Sequence, residues 1–150
     1  MSYVAPITVL VLLVLLARKL LTKNRQDPDL EHLRPGESLE SLTSDLETAM
    51  ATAVRELDIC QPHIMRDNWP ALSKPERDKR VIARRRYIIA LEEWRKAEEC
   101  LLYDGTNGNI DLRMIGSIPL VRRAGIHKAR SSVKLARELQ QDMRSEGWMN

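Results

Sequence analysis

The feature that most limits how this chain can fold is a run of fourteen uncharged residues, Val4 to Ala17, dominated by Leu and Val. Such a run cannot sit on the outside of a water-soluble domain without exposing a large apolar patch. As a helix it would rise only ~21 Å, short of a ~30 Å hydrocarbon core. Leu20 and Leu21 extend it, and Arg18 and Lys19 stand where long side chains can snorkel to the headgroups. From Val4 to Leu21 the rise becomes ~27 Å, enough for a thin or locally thinned bilayer. Pro6 falls in the first turn, where a missing N–H does little harm. The run is therefore expected to be a single-pass anchor with Val4, Leu10, Leu13, Leu16 and Leu20 in contact with lipid.

A cleaved signal peptide fits less well. Met-Ser-Tyr supplies no basic n-region, and Leu15-Leu16-Ala17-Arg18 is a poor cleavage site. A mitochondrial presequence should be amphipathic and Arg-rich, whereas this run is apolar all round. No basic side chain precedes the run, and Arg18, Lys19, Lys23 and Arg25 come after it. Lys and Arg stay on the cytoplasmic side, so the rest of the chain is expected in the cytoplasm, or in the matrix for an inner mitochondrial membrane. The endoplasmic reticulum and mitochondrial membranes both suit this pattern. Two cysteines, Cys60 and Cys100, and no Asn-x-Ser/Thr sequon fit a reducing compartment.

The chain divides by composition into residues 1–25, anchor and basic flank; 26–37, a polar linker with Pro28, Pro35 and Gly36; 38–147, a helical soluble domain; and 148–150, a tail. The domain is long enough to bury one core without staples. Hydrophobic residues make up 43% and charged residues 30%, a globular balance. Phe is absent and aromatics are only 4%, so Leu, Ile, Val, Met and Ala must build the core, which favours helix packing. The expected fold is all-α: the anchor helix, then a three- to four-helix bundle around one long central helix.

Periodicity places the helices. Leu39, Leu42, Leu46, Met50, Val54 and Leu57 recur at three and four residues and predict a helix over Leu39 to Cys60, starting at Ser38 or at the Ser44–Glu47 capping box. Pro62 and Pro70 punctuate the segment from Gln61 to Leu72, with Ile64, Met65 and Trp69 expected against the core. Ser73-Lys74-Pro75-Glu76 is a strong start signal for a helix running to about Tyr103. Val81, Ile88, Leu91, Trp94 and Leu101, widened by Ile82 and Ile89, are expected to be its core stripe. Asp104 to Asn109 ends it, a short element occupies 110–118, and a last helix spans Leu120 to about Ser145. Its stripe of Ala129, Val133, Ala136, Leu139 and Met143 includes small residues that permit close helix contact, Gly125 weakens its start, and Gly147 stops it.

Nothing in the chain assembles a catalytic constellation. There is no Gly-x-Ser-x-Gly, no Walker-type phosphate loop and no Gly-rich turn after a strand. Cys60 and His63, with Cys100 and His127, have the arithmetic of a zinc site but no second paired motif. No catalytic, cofactor or metal residue is assigned. Charge is more informative. Residues 26–58 carry nine acids against two bases, and the chain from Ile59 on carries eighteen bases against twelve acids. The halves should attract.

The sharpest surface feature is the cluster Arg77, Lys79, Arg80, Arg84, Arg85 and Arg86, which could meet anionic lipid, an acidic partner, RNA with Tyr87 for stacking, or the acidic first helix. Glu76 and Asp78 interleave with it, which disfavours nucleic acid. Arg130, Lys134 and Arg137 make the last helix basic on one face. The expectation is a non-catalytic, membrane-anchored accessory subunit of a larger membrane complex, docking through Arg77, Arg80, Arg84, Arg85, Arg86, Arg130, Lys134 and Arg137. The alternatives are a small membrane-bound enzyme with an unrecognised helical site, or a lipid- or RNA-binding adaptor.

Overall fold

The structure, a computed structural model, describes residues 32–64 and 71–150. The expected anchor, with Val4, Leu10, Leu13, Leu16 and Leu20, lies outside the described residues, as do Met65 and Trp69. Among the described residues no helix is long and apolar enough to cross a membrane, and there is no strand.

Among the described residues four helices succeed one another: α1 (Leu39–Ile64), α2 (Lys74–Leu102), α3 (Ile110–Ile115) and α4 (Ile118–Ser145). The three long ones form an up-down-up bundle, with α4 packed against both α1 and α2. Two buried clusters fill it end to end. The proximal cluster joins Leu42, Leu46 and Met50 to Ala97, Cys100, Tyr103, Leu112, Val121 and Ala129. The distal cluster joins Leu57, Cys60 and Ile64 to Ala83, Ala90, Ala136, Leu139 and Met143. Half-buried Trp94 touches both clusters. The chain enters at the proximal end, where Leu33 packs on the core and Arg123 of α4 binds the His32 carbonyl and the Glu37 carboxylate. Residues 32–37, expected as linker, are thus laid onto the bundle.

Helix α1 starts after Ser38, not Ser44. The Ser41 N–H donates to Ser38 Oγ at 3.0 Å, which settles the competition between the two candidate caps. Its buried stripe runs Leu42, Leu46, Met50, Ala53, Leu57, Cys60, Ile64. Ala53 takes the place expected of Val54, because alternating three- and four-residue steps keep the stripe in line with a helix of 3.6 residues per turn. Pro62 does not end the helix. In the last turn it removes only one backbone bond, and the helix continues so that Ile64 can close the distal cluster.

Helix α2 departs most from expectation. Its start is as predicted: Glu76 Oε2 accepts the Ser73 N–H at 3.1 Å and the Ser73 hydroxyl at 2.9 Å. Its core face, however, is Ala83, Ala90, Ala97 and Cys100. Ile82, Ile88 and Ile89, expected in the core, are exposed, while Leu91, Trp94 and Leu101 are half-buried. The reason lies in α4, whose facing residues are also small. Gly125, Ala129, Ser132 and Ala136 are buried, and Ser132 Oγ donates across the seam to the Ala90 carbonyl at 2.7 Å. At Gly125 an added Cβ would stand 2.7 Å from Cys100 Cβ and 2.9 Å from Leu46 Cδ2. Backbones this close leave no room for a branched side chain, so α2 turns its alanines inward and its isoleucines out. Gly125, read as a weakness in α4, is the point where three helices converge.

The loop between α2 and α3 holds itself in place. Asp104 Oδ1 accepts the Thr106 N–H at 2.8 Å and the Asn107 N–H at 3.1 Å, and Asn107 Nδ2 returns to the Leu102 carbonyl at 2.9 Å. Asn109 caps α3, which ends at Gly116 with φ +70°, a conformation glycine adopts without penalty. Arg122 reaches over from α4 to the Cys100 carbonyl and, at 3.1 Å, the Tyr103 carbonyl, satisfying the open end of α2.

Candidate interaction surface

Helix α4 has a groove on each flank. Between α4 and α1, Arg130, Val133, Lys134 and Arg137 face Asp45, Thr48, Ala49 and Thr52 across an open cleft of about 680 Å³. Between α4 and α2, Ile82, Arg86 and Ile89 face Leu135, Leu139 and Asp142, with Trp148 at the distal end. Glu138 and Gln141 form the ridge common to both grooves. Neither groove contains a histidine, so His63 and His127 are not placed beside an acid there.

The expected site residues fall into distinct surroundings. Arg130, Lys134 and Arg137 share the α1–α4 groove. Arg137 is turned to the Glu56 carboxylate at 3.1 Å, where Gln140 Nε2 also donates at 2.7 Å. Burial pushes the Glu56 carboxyl up, but the hydrogen bonds from Gln140 and Arg137 outweigh it and hold the pKa below the usual carboxylate range. The basic cluster of α2 is split. Lys79 and Arg86 reach α4, pairing with Glu146 at 2.6 Å and with Asp142. Arg80 bridges the distal end of the bundle: it donates to the His63 carbonyl of α1 at 3.2 Å, and its guanidinium lies 4.5 Å from the Trp148 ring centre. Trp148, expected in a loose tail, is thereby part of the distal cluster. Arg77, Arg84 and Arg85 are exposed.

Within the α2 cluster, Lys79 and Arg86 pair with Glu146 and Asp142 at the distal end of α4, and two acids of the first segment reach the basic half, Glu37 to Arg123 and Glu56 to Arg137. Tyr87, which the RNA alternative would use for stacking, is half-buried against the distal cluster.

The zinc arithmetic also dissolves in space. Cys60 belongs to the distal cluster, its thiol pointing to the Ala136 carbonyl at 3.5 Å, and Cys100 belongs to the proximal one. Among the described residues no group of three or more His, Cys, Asp or Glu could share a metal. Burial pushes the Cys60 thiol up to about 11 and raises Cys100 as well, which makes both poor nucleophiles at neutral pH.

Sequence reasoning missed Ile82, Ile88 and Ile89 as surface, and of these Ile82 and Ile89, 53% and 50% exposed, stand one heptad apart on the rim of the α2–α4 groove. The signal was present: Ala83, Ala90 and Ala97 recur every seven residues and mark the inner face. Comparison with protein-family models, with curated proteins and with solved structures gave no match to this chain.

Proposed function

We propose that the protein is a membrane-tethered interaction subunit that docks another component of a membrane-associated complex on the α2–α4 face. One observation carries this reading. Two isoleucines stand about half exposed beside a groove while alanines occupy the adjoining core, a surface that costs solubility unless something covers it. Leu135 lies half-buried on the groove floor, and the Arg86–Asp142 and Lys79–Glu146 pairs frame it with both signs of charge. An amphipathic helix with i, i+3, i+4, i+7 apolar anchors matches such a groove. The tether rests on the apolar run Val4 to Leu21 and its basic flank. The exposed pairs contribute little affinity and serve orientation.

The test is purification of the tagged full-length protein in mild detergent, with mass spectrometry of what accompanies it. The proposal expects a partner at stoichiometric level that is lost from an Ile82→Asp/Ile89→Asp variant. Recovery of the protein alone, or full retention of partners by the variant, would count against it.

A further inference from the structure

The three most exposed large apolar side chains of the described residues gather at the proximal end: Met114 at 82%, Ile110 at 73% and Leu102 at 66%. Ile110 and Met114 are one turn apart on α3 and share its outer side, while Leu112 faces inward into the proximal cluster. Ile115, also exposed, continues the patch beside them. The short helix is held rigidly for its size. Asn109 Oδ1 caps it, accepting from the Leu112 N–H at 3.0 Å, and Arg113 Nε donates to the Gly108 carbonyl at 3.0 Å. Leu112 and Tyr103 fix its inner side in the core.

The chain enters the bundle at this same end. From Leu21, the last residue of the apolar run, to His32, which Arg123 fixes to α4, there are eleven residues. Fully extended they reach at most ~40 Å. The opposite end of α2 lies about that far from Leu102, since Arg77 and Leu102 are separated by a rise of ~38 Å. An anchor at Val4 to Leu21 would keep the proximal end, where the chain joins the bundle, within ~40 Å of the bilayer, and the exposed patch of α3 lies on that tethered end.

We infer that α3 and the end of α2 form a membrane-contact tip, with Leu102, Ile110 and Met114 inserted at the headgroup–acyl boundary of the bilayer that holds the N-terminal run. This rests on Val4 to Leu21 being an anchor. The tip carries acids as well as arginine, Asp104 and Asp111 beside Arg113. Its contact is thus apolar insertion rather than attraction to anionic lipid, and needs no negatively charged headgroup. The consequence is orientation: the bundle stands on its proximal end, and the α2–α4 groove is displayed alongside.

The experiment uses the full chain reconstituted into phosphatidylcholine vesicles whose acyl chains carry a spin-label quencher. A fluorophore is placed on Met114→Cys, or on Arg77→Cys at the far end. Cys60 and Cys100 are buried and do not compete for label. The inference expects alkali-resistant association with the vesicles and quenching at position 114 at least ~3-fold that at position 77. Association with equal quenching at the two positions overturns the tip contact and leaves the anchor standing. Failure to associate overturns the anchor and the tip together. An Ile110→Glu/Met114→Glu variant, altered only at exposed positions, should keep its thermal midpoint and reduce the quenching at a third label, Leu102→Cys, to the level of position 77; unchanged quenching there would also overturn the inference.

Discussion

Replacing Gly125 with alanine should destabilise the bundle, although alanine is the better helix former. In an exposed helix the exchange gains ~1 kcal/mol from propensity alone. Here the new Cβ meets Cys100 Cβ at 2.7 Å, Leu46 Cδ2 at 2.9 Å and Leu46 Cδ1 at 3.1 Å. Carbon atoms rest at about 3.5 Å or more, so α2 and α4 must part by nearly ~1 Å. The leucine methyls can rotate aside, but a Cβ is fixed to its backbone. Parting the seam also stretches the Ser132–Ala90 bond and opens the alanine contacts along its length. Overpacking of this kind costs ~1–3 kcal/mol, and a rigid Cβ–Cβ contact belongs at the upper end. The net loss is about 1–2 kcal/mol, a fall of roughly 5–10 °C in the midpoint for a domain of this size. The assay is thermal unfolding of the full-length protein in mild detergent by far-ultraviolet circular dichroism. Leu46→Val draws the two methyls back from Cδ to Cγ but leaves Cys100 Cβ, so the same exchange in that background should cost less by ~0.5–1 kcal/mol without becoming favourable. A Gly125→Ala protein as stable as the parent, or more so, would refute the close convergence of the three helices.

Other predictions rest on single contacts. Arg122→Met removes the donor to the Cys100 and Tyr103 carbonyls and should cost ~1–3 kcal/mol, read in the same melts; an unchanged midpoint would show that water serves these carbonyls equally well. Glu37, Glu56 and Glu93 all have lowered pKa values, so their stabilisation is complete above the unfolded carboxyl value of 4.5 and is lost as pH falls through the depressed folded values. Midpoints should therefore drop steeply in that acid range, and less steeply in Glu56→Gln. Cys60 and Cys100 should resist a thiol reagent at neutral pH until the protein unfolds, when both react; rapid stoichiometric labelling of the native protein would contradict their burial.

The sequence made α1 and α4 readable because each carries a single apolar stripe at helical spacing, from Leu42 to Leu57 and from Ala129 to Met143. The turn from Asp104 to Asn109 was readable for a different reason, since its side chains bond their own backbone and depend little on the rest of the fold. Helix α2 misled because hydrophobicity ranks Ile above Ala, whereas the choice of inner face was made by size. Its partner helix offers Gly125, Ala129, Ser132 and Ala136, and only alanines fit against them. That is a property of two helices together, and no window on one of them contains it. The basic cluster was legible as charge but not as geometry: the acids at Asp142 and Glu146 lie far along the chain, and the aromatic ring that takes Arg80 sits in a segment that reads as a tail. The apolar tip on α3 was hidden by its length, a six-residue helix being too short for a periodic signal.

The measurement that bears most directly on the docking role is paired purification of the full-length protein and its Ile82→Asp/Ile89→Asp variant in mild detergent, with quantitative mass spectrometry and a melting curve for each. A docking face on α2 and α4 predicts equal stability, a stoichiometric membrane-complex partner with the parent protein, and loss of that partner by at least ~10-fold from the variant. Equal partner recovery from both proteins, or a parent protein that elutes alone, would contradict it.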